Sequence, residues 1–257
     1  MLKINNLNLS FGGLKATNNV TMHVKPNQIT ALIGPNGAGK TTLFNQITGV
    51  YKPDSGEIWF DGKRIDGLRP YQVNAAGISR TYQMINLFGN MTVLDNVLVG
   101  MHSRLKSGYW SNILRLPKQR REEKEALKRA YELLDFVNLT EHAKDKANSL
   151  SYGSQRLLEI VRAMASDCKL ILLDEPAAGM NSAEKEDLNL LIRNIIDRGI
   201  TVLIVEHDMK LVMNIADEIY VINSGANLAS GTAEEISSNP EVIKAYLGGD
   251  DNGTARN

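Results

Sequence analysis

Cysteine is almost absent from this chain. The single residue, Cys168, can neither close an internal disulfide nor build a multi-cysteine metal site, so a reducing setting fits. It precedes an apolar run and reads as a small core residue. Long hydrophobic stretches are missing too: nothing approaches the roughly 18 consecutive apolar residues that a membrane-spanning helix needs. The opening MLKINNLNLSFGG lacks an apolar core of the kind a secretory signal carries, so no such signal is expected. Charge of one sign is not in excess, with 29 Lys+Arg against 29 Asp+Glu. A zero balance argues against nucleic acid as the partner, because binding phosphate backbones calls for a basic surplus. Repeats and low-complexity blocks are absent. What remains is ordinary for a folded domain: 257 residues, 43% hydrophobic and 23% charged. That length suits one large domain or two small ones and buries roughly 70–75% of the unfolded surface, so neither staple nor metal is needed for stability.

The pattern along the chain is α/β. Residues 2–9 alternate partly, residues 20–24 follow a turn-like stretch, and Ile29–Ile33 is a β-branched, apolar run read as a buried strand. A helix is predicted over 40–48, a strand over 57–60, and a hairpin turn at Asp61-Gly62. From about 93 to 136 the signal is helical. Thr92 is placed to cap one helix, and Leu127, Ala130, Tyr131 and Leu134 mark the apolar face of a second. The second opens on a basic cluster, 118–124, whose interleaved acids read as a solvated face rather than a lipid or RNA contact. Strands and helices then alternate: 170–173, 183–197, Thr201–Val205, 208–216 and Glu218–Asn223. Such alternation predicts a mostly parallel sheet covered on both faces, and the glycine-rich end reads as a frayed tail.

Two features carry chemistry. Residues 34–41 read GPNGAGKT, a full G-x-x-x-x-G-K-[ST] match between a predicted strand and a predicted helix. Glycines let backbone N–H groups turn inward as an anion nest, and the following helix start adds its positive dipole end. Asn36, Gly37, Ala38 and Gly39 would form the cradle, Lys40 would reach the β- and γ-phosphates of a bound nucleotide, the Thr41 hydroxyl would ligate Mg²⁺ and Thr42 would meet the α-phosphate. The second feature is Asp174-Glu175, at the end of the apolar run 170–173. Asp174 is the metal carboxylate such a loop requires, and Glu175 can polarise an attacking water as general base.

Together these residues resemble the ATP-binding subunit of an ABC transporter, over nearly the whole chain and with the motifs in order. LSYGS at 150–154 is similar to the family's LSGGQ signature, with Tyr152 and Ser154 as departures and Gln155 one place late. The resemblance implies that Ser151 and the Gly153 N–H bind the γ-phosphate of ATP held by the other subunit of a dimer. It implies that Gln83 is the Q-loop glutamine, meeting Mg²⁺ or the water, and that His207 is the H-loop histidine. Residues 178–181 resemble the D-loop, with Asn181 where Asp is usual, and Phe11 is the candidate for stacking on adenine. The implied fold is a P-loop NTPase core with a mostly parallel sheet, an N-terminal antiparallel β part and a helical subdomain. The RecA-like and β core takes 1–83 and 166–257, the helical part 84–165, and 249–257 is a flexible tail.

A narrower similarity, carried by RTYQ at 80–83, LF at 87–88, MTV at 91–93, LSYG at 150–153 and DEPAAGMN at 174–181, is to high-affinity branched-chain amino-acid importers. Those systems carry two different ATPases, and this chain resembles the larger. The implied partners are a second ABC ATPase in a heterodimer, two integral membrane permease subunits and, indirectly, a solute-binding protein. The implied place is the cytoplasmic face of the inner membrane, peripherally bound. An importer for urea, amides or a lipid, a soluble ABC ATPase working on ribosomes or DNA, and a binding module without catalysis are the competing readings. The aromatic pair Tyr109-Trp110 in the helical insertion reads equally as a partner contact or as helix packing.

Overall fold

The computed structural model describes residues 1–101 and 117–247. The Tyr109-Trp110 pair, the tail 249–257 and the first side chains of the basic cluster, 118–120, lie outside the described residues.

Two sheets share the molecule. Strands β1 (Leu2–Phe11), β2 (Leu14–Val24), β4 (Ser55–Phe60) and β5 (Lys63–Arg64) form an antiparallel sheet in the order β2-β1-β4-β5. The turn from β4 to β5 is Asp61-Gly62 as predicted, with φ of 47° and 76°, the two positive values that a primed hairpin turn requires.

 The second sheet has six strands: β3 (Ile29–Ile33), β6 (Ile78–Arg80), β7 (Leu170–Asp174), β8 (Thr201–Val205), β9 (Glu218–Asn223) and β10 (Ala226–Gly231), in the order β10-β9-β3-β8-β7-β6. All neighbours in it run parallel except β9 and β10, which are joined by the Ser224-Gly225 turn.

Every residue of β3, β7 and β8 is buried, which is why these segments read as unbroken apolar runs. Their period of two divides them between two cores. Leu32, Leu170, Leu172, Leu203 and Val205 face the antiparallel sheet, and α1 (Lys40–Ile47) fills the space between with Leu43, Phe44 and Ile47. Ala31, Ile33, Ile171, Leu173, Val202 and Ile204 face the opposite way, onto a layer of helices. That layer includes α3 (Val93–Gly100), α4 (Pro117–Asp135), α5 (Tyr152–Met164), α6 (Ser182–Asp197) and α7 (Met209–Ile215), while α2 (Pro70–Ala76) precedes β6 and α8 (Ala233–Ser237) and α9 (Pro240–Leu247) follow β10. Cys168 is buried, as its neighbours predicted.

Thr92 caps α3 through a reciprocal box with Asp95, its hydroxyl accepting from the Asp95 N–H at 3.0 Å. On α4, Ala130 and Leu134 are buried, but Leu127 is 42% exposed, so the apolar stripe is shorter than its spacing suggested. Strands β6 and β10 and helices α2, α8 and α9 lie outside the elements that the sequence pattern marks. Tertiary pairing makes them: β6 exists as the partner of β7, and β10, rich in Ala, Ser and Gly, as the partner of β9.

Candidate functional site

Parallel pairing sets the register of β3, β8 and β7 so that their C-terminal ends lie side by side, with Leu32 opposite Val205 and Val205 opposite Asp174. The loops that leave those ends therefore converge, as they do in open α/β sheets that bind ligands beyond the strand ends. The 34–42 segment leaves β3, Glu175 leaves β7 and His207 follows β8. Gln83 comes from the segment after β6, next along the sheet.

The glycine-rich segment is shaped by close backbone approach. Gly34, at φ 156°, would place a Cβ 2.1 Å from the Ile222 carbonyl oxygen, and Gly39, at φ 101°, would place one 2.3 Å from that of Ala16. No larger residue fits either point without moving a strand. Asn36 and Gly37 are exposed at the tip, Ala38 is buried beneath it, and the Gly225 N–H ties the Ala38 carbonyl down at 3.0 Å. Lys40, Thr41 and Thr42 begin α1. The Lys40 ammonium is buried and curls over the loop, donating to the carbonyls of Gly34 at 2.6 Å and Pro35 at 3.0 Å. Burial lowers its pKa, against the upward pull of the Glu175 and Asp174 carboxylates.

Glu175 is the centre of the polar cluster. It holds φ at 48°, in the left-handed region, and its own N–H donates to the Val205 carbonyl at 2.8 Å. One carboxylate oxygen lies 2.8 Å from His207 Nε2, and the other accepts from Gln83 Nε2 at 2.9 Å. Three residues separated by many tens of positions in sequence thus meet at one carboxylate. Asp174 points elsewhere. Its Oδ2 accepts from Arg80 Nη2 at 2.6 Å, and Arg80 also donates to Asn45 Oδ1 on α1 at 2.6 Å. The Arg80 guanidinium lies between two rings, 5.4 Å from the centroid of Phe44 and 5.2 Å from that of Tyr82.

A second carboxylate stands behind His207. Glu206 is 4% exposed and accepts from the N–H groups of Ala177 at 2.7 Å, His207 at 3.0 Å and Asp208 at 3.4 Å. It therefore holds the segment after Glu175 against the segment that presents His207. Burial raises its pKa, the three backbone donors oppose that shift, and the charge of Glu175 adds to it.

Ser151 and Gly153 lie apart from this cluster, and among the described residues no hydrogen bond links either to the 34–42 loop. Ser151 is the N-cap of α5, its hydroxyl accepting from the Ser154 N–H at 3.2 Å. Ser154 uses its own hydroxyl to receive the Ser151 O–H at 3.0 Å, and Gln155 Nε2 reaches the Leu150 carbonyl at 2.9 Å. Tyr152 packs over Gly179, where a Cβ would lie 3.1 Å from its ring. Asn181 does what an Asp would do there: it caps α6, accepting from the Glu184 N–H at 3.0 Å. Phe11 is half-exposed at the end of β1, edge-on to Tyr51 with centroids 5.3 Å apart.

Several of these partners were not legible beforehand. Arg80 opens the RTYQ stretch but nothing there names its partner, Glu206 differs in no visible way from a strand-end acid, and Tyr51 follows a helix without any marker. Only contacts distant in sequence single them out.

Comparison with known proteins agrees with the family resemblance. The ABC transporter family model matches residues 17–178, and a model for branched-chain amino acid ATP-binding cassette transporters matches residues 226–252. The chain is 49% identical over 249 residues to the high-affinity branched-chain amino acid transport ATP-binding protein LivG of Escherichia coli K12, covering 96% of this chain and 98% of that protein. It is 48% identical, with the same coverage, to the corresponding BraF protein of Pseudomonas aeruginosa. Among solved structures, an ABC transporter ATP-binding cassette in its ADP conformation superposes with a TM-score of 0.85 at 34% identity, covering 96% of this chain and 98% of that one. A dimeric cassette in a post-hydrolysis state with ADP and Pi superposes with a TM-score of 0.75 at 26% identity, covering 91% and 99%.

Proposed function

Because the chain belongs to the ABC transporter family of ATP-binding proteins, we propose that it is the ATP-hydrolysing motor subunit of an importer for branched-chain amino acids. The observation that carries the catalytic part is the Glu175 carboxylate, held between His207 and Gln83. It stands at the strand ends that also present the glycine-rich loop. A carboxylate so placed takes a proton from water as that water attacks the γ-phosphate. His207 orients the carboxylate and meets the γ-phosphate. The Gln83 amide orients the water. Backbone N–H groups of the 36–39 cradle, apart from that of Ala38, which donates to the Pro35 carbonyl at 3.1 Å, join the Lys40 ammonium in neutralising phosphate charge, and Phe11 stacks on adenine with Tyr51 bracing it edge-on.

The donor set suits magnesium. Thr41 and Gln83 offer hard oxygen atoms that would hold it, and Asp174, one of whose carboxylate oxygens is taken by Arg80, would offer its other. A cation that keeps water and phosphate among its ligands needs no larger protein cage. When bound, Mg²⁺ supplies charge neutralisation on the β- and γ-phosphates.

Ser151 and the Gly153 N–H stand at a helix start with nothing of this chain's own loop to bind, so they serve the nucleotide of a second ATPase subunit in a head-to-tail dimer. That partner is a different ABC ATPase. Closure of the pair around two ATP molecules drives two membrane permease subunits through the Gln83 segment and the helical part, 84–165. No helix among the described residues is long and apolar enough to cross a membrane. In this reading the permeases hold the subunit peripherally, at the cytoplasmic face, and receive the amino acid from a solute-binding protein.

The test is a mild-detergent pull-down from native membranes, joined to uptake assays in cells carrying Glu175→Gln. Recovery of a second ABC ATPase with two polytopic membrane proteins, and loss of labelled leucine uptake, is expected. Loss of urea or amide uptake with leucine uptake intact would reassign the cargo. Recovery with ribosomes or DNA and no membrane protein would overturn the transport reading.

A further inference from the structure

Helix α5, which begins at the Ser151 cap, buries two ionisable side chains. Arg156 is fully buried and Glu159 is 1% exposed. They pair with each other, Arg156 Nη1 donating to Glu159 Oε2 at 2.9 Å. A buried pair of this kind is a poor source of stability, because desolvation offsets the attraction. Its product is geometry, and the remaining bonds show which geometry. Arg156 Nη1 donates to the Tyr82 carbonyl and Nη2 to the Gln83 carbonyl, each at 2.7 Å. Glu159 Oε1 accepts from the N–H groups of Tyr82 and Asn86, each at 3.4 Å. One turn on, the Arg162 guanidinium lies 5.7 Å from the Phe88 ring centroid. Residues spaced three apart share one face of a helix, so Arg156, Glu159 and Arg162 form a single charged stripe against the segment 82–88. The backbone of Gln83 is thereby fastened to α5 while its side chain leaves for Glu175.

We propose that Arg156 and Glu159 are positioning residues for ATP hydrolysis, which lock the Gln83 backbone to the helix that carries Ser151 and so aim the Gln83 amide at Glu175. The planar guanidinium is needed because its two Nη groups span two consecutive carbonyls, a fork that an ammonium does not reproduce. A movement of α5, which the nucleotide of the opposing subunit engages through Ser151, is passed to the hydrolytic carboxylate through this clamp. The inference rests on the role proposed for Gln83.

The experiment compares Arg156→Met/Glu159→Leu, which removes both charges together, with Gln83→Ala and with the triple combination, in the full-length chain. The readouts are kcat and KM for ATP hydrolysis and the affinity for a fluorescent ATP analogue. Misplacement of a positioning group by about 1 Å costs up to about 100-fold, so kcat of the double variant is expected to fall about 10- to 100-fold. Analogue affinity and KM stay within about twofold, because the glycine-rich loop is untouched. Adding Gln83→Ala to the double variant lowers kcat no further, because both changes remove one function. Arg156→Lys, which keeps the charge and loses the fork, carries the same comparison should the double variant not fold. A wild-type kcat in the clamp variants, a loss confined to KM, or a loss that multiplies with that of Gln83→Ala would each overturn the proposal. A wild-type kcat in Gln83→Ala itself would instead overturn the reading of Gln83 on which the clamp depends.

Discussion

Arg80→Met takes one charge out of a site sealed from water and leaves most of the side-chain stem in place. The side chains of Arg80 and Asp174 are 6% and 4% exposed and meet at 2.6 Å. At an effective dielectric constant of about 20, unit charges about 4 Å apart attract by about 4 kcal/mol. Breaking one side of a buried pair typically costs about 3–5 kcal/mol, since the remaining carboxylate keeps its desolvation penalty. The contacts of the guanidinium with the Phe44 and Tyr82 rings add about 0.5–1 kcal/mol each, part of which Met retains by packing. The expected loss is therefore about 4–5 kcal/mol, or a Tm lower by about 10–15 °C for a chain of this size. Urea unfolding followed by tryptophan fluorescence, with thermal circular dichroism beside it, measures both. Arg80→Met/Asp174→Leu removes the stranded charge as well and is expected to recover much of the loss. A fall below about 1 kcal/mol for Arg80→Met would show the pair to behave as a solvated surface bridge and would refute the reasoning.

Glu175→Gln keeps the shape of the side chain and removes the base, so ATP hydrolysis should slow by about 10²–10⁴-fold while an ATP analogue binds as before; turnover within a few-fold of wild type would exclude Glu175 as the base. Gly39→Ala forces a Cβ toward the Ala16 carbonyl at a φ that L residues avoid, and nucleotide affinity measured by titration should fall by at least about tenfold. Burial holds the Glu206 pKa above the ordinary carboxylate value of 4.5, so the folded state binds the extra proton and the carboxyl's contribution to stability is lost as pH rises through the folded value. Relative to wild type, Glu206→Gln should therefore become more stable from about pH 4.5 upward, whereas a pH-independent difference between their urea midpoints would exclude titration of Glu206 as the cause.

Much of the architecture was readable because it rests on local physics. Runs of β-branched and apolar residues mark β3, β7 and β8 as buried on both faces, and capping side chains mark where α3 and α7 begin, at Thr92 and Asp208. The glycines of 34–39 announce a backbone too tight for a side chain. Leu127 misled because spacing says which residues share a face but not how far along a helix the neighbouring core extends. Arg156 and Glu159 carry no sequence signal of their place: charges three apart on a helix normally decorate a solvated surface, yet here both are buried.

From its residues alone the chain declares a phosphate-binding loop, a pair of strand-end carboxylates and the order of the motifs around them, because each depends on neighbours a few positions away. Which group each carboxylate holds is not of that kind. Glu175 meeting His207 and Gln83, Asp174 meeting Arg80, and the Gln83 backbone meeting Arg156 all follow from parallel strand register and helix packing. Those contacts join residues tens of positions apart, and their partners are chosen by the burial and desolvation that exist only once the sheet has closed against its helices.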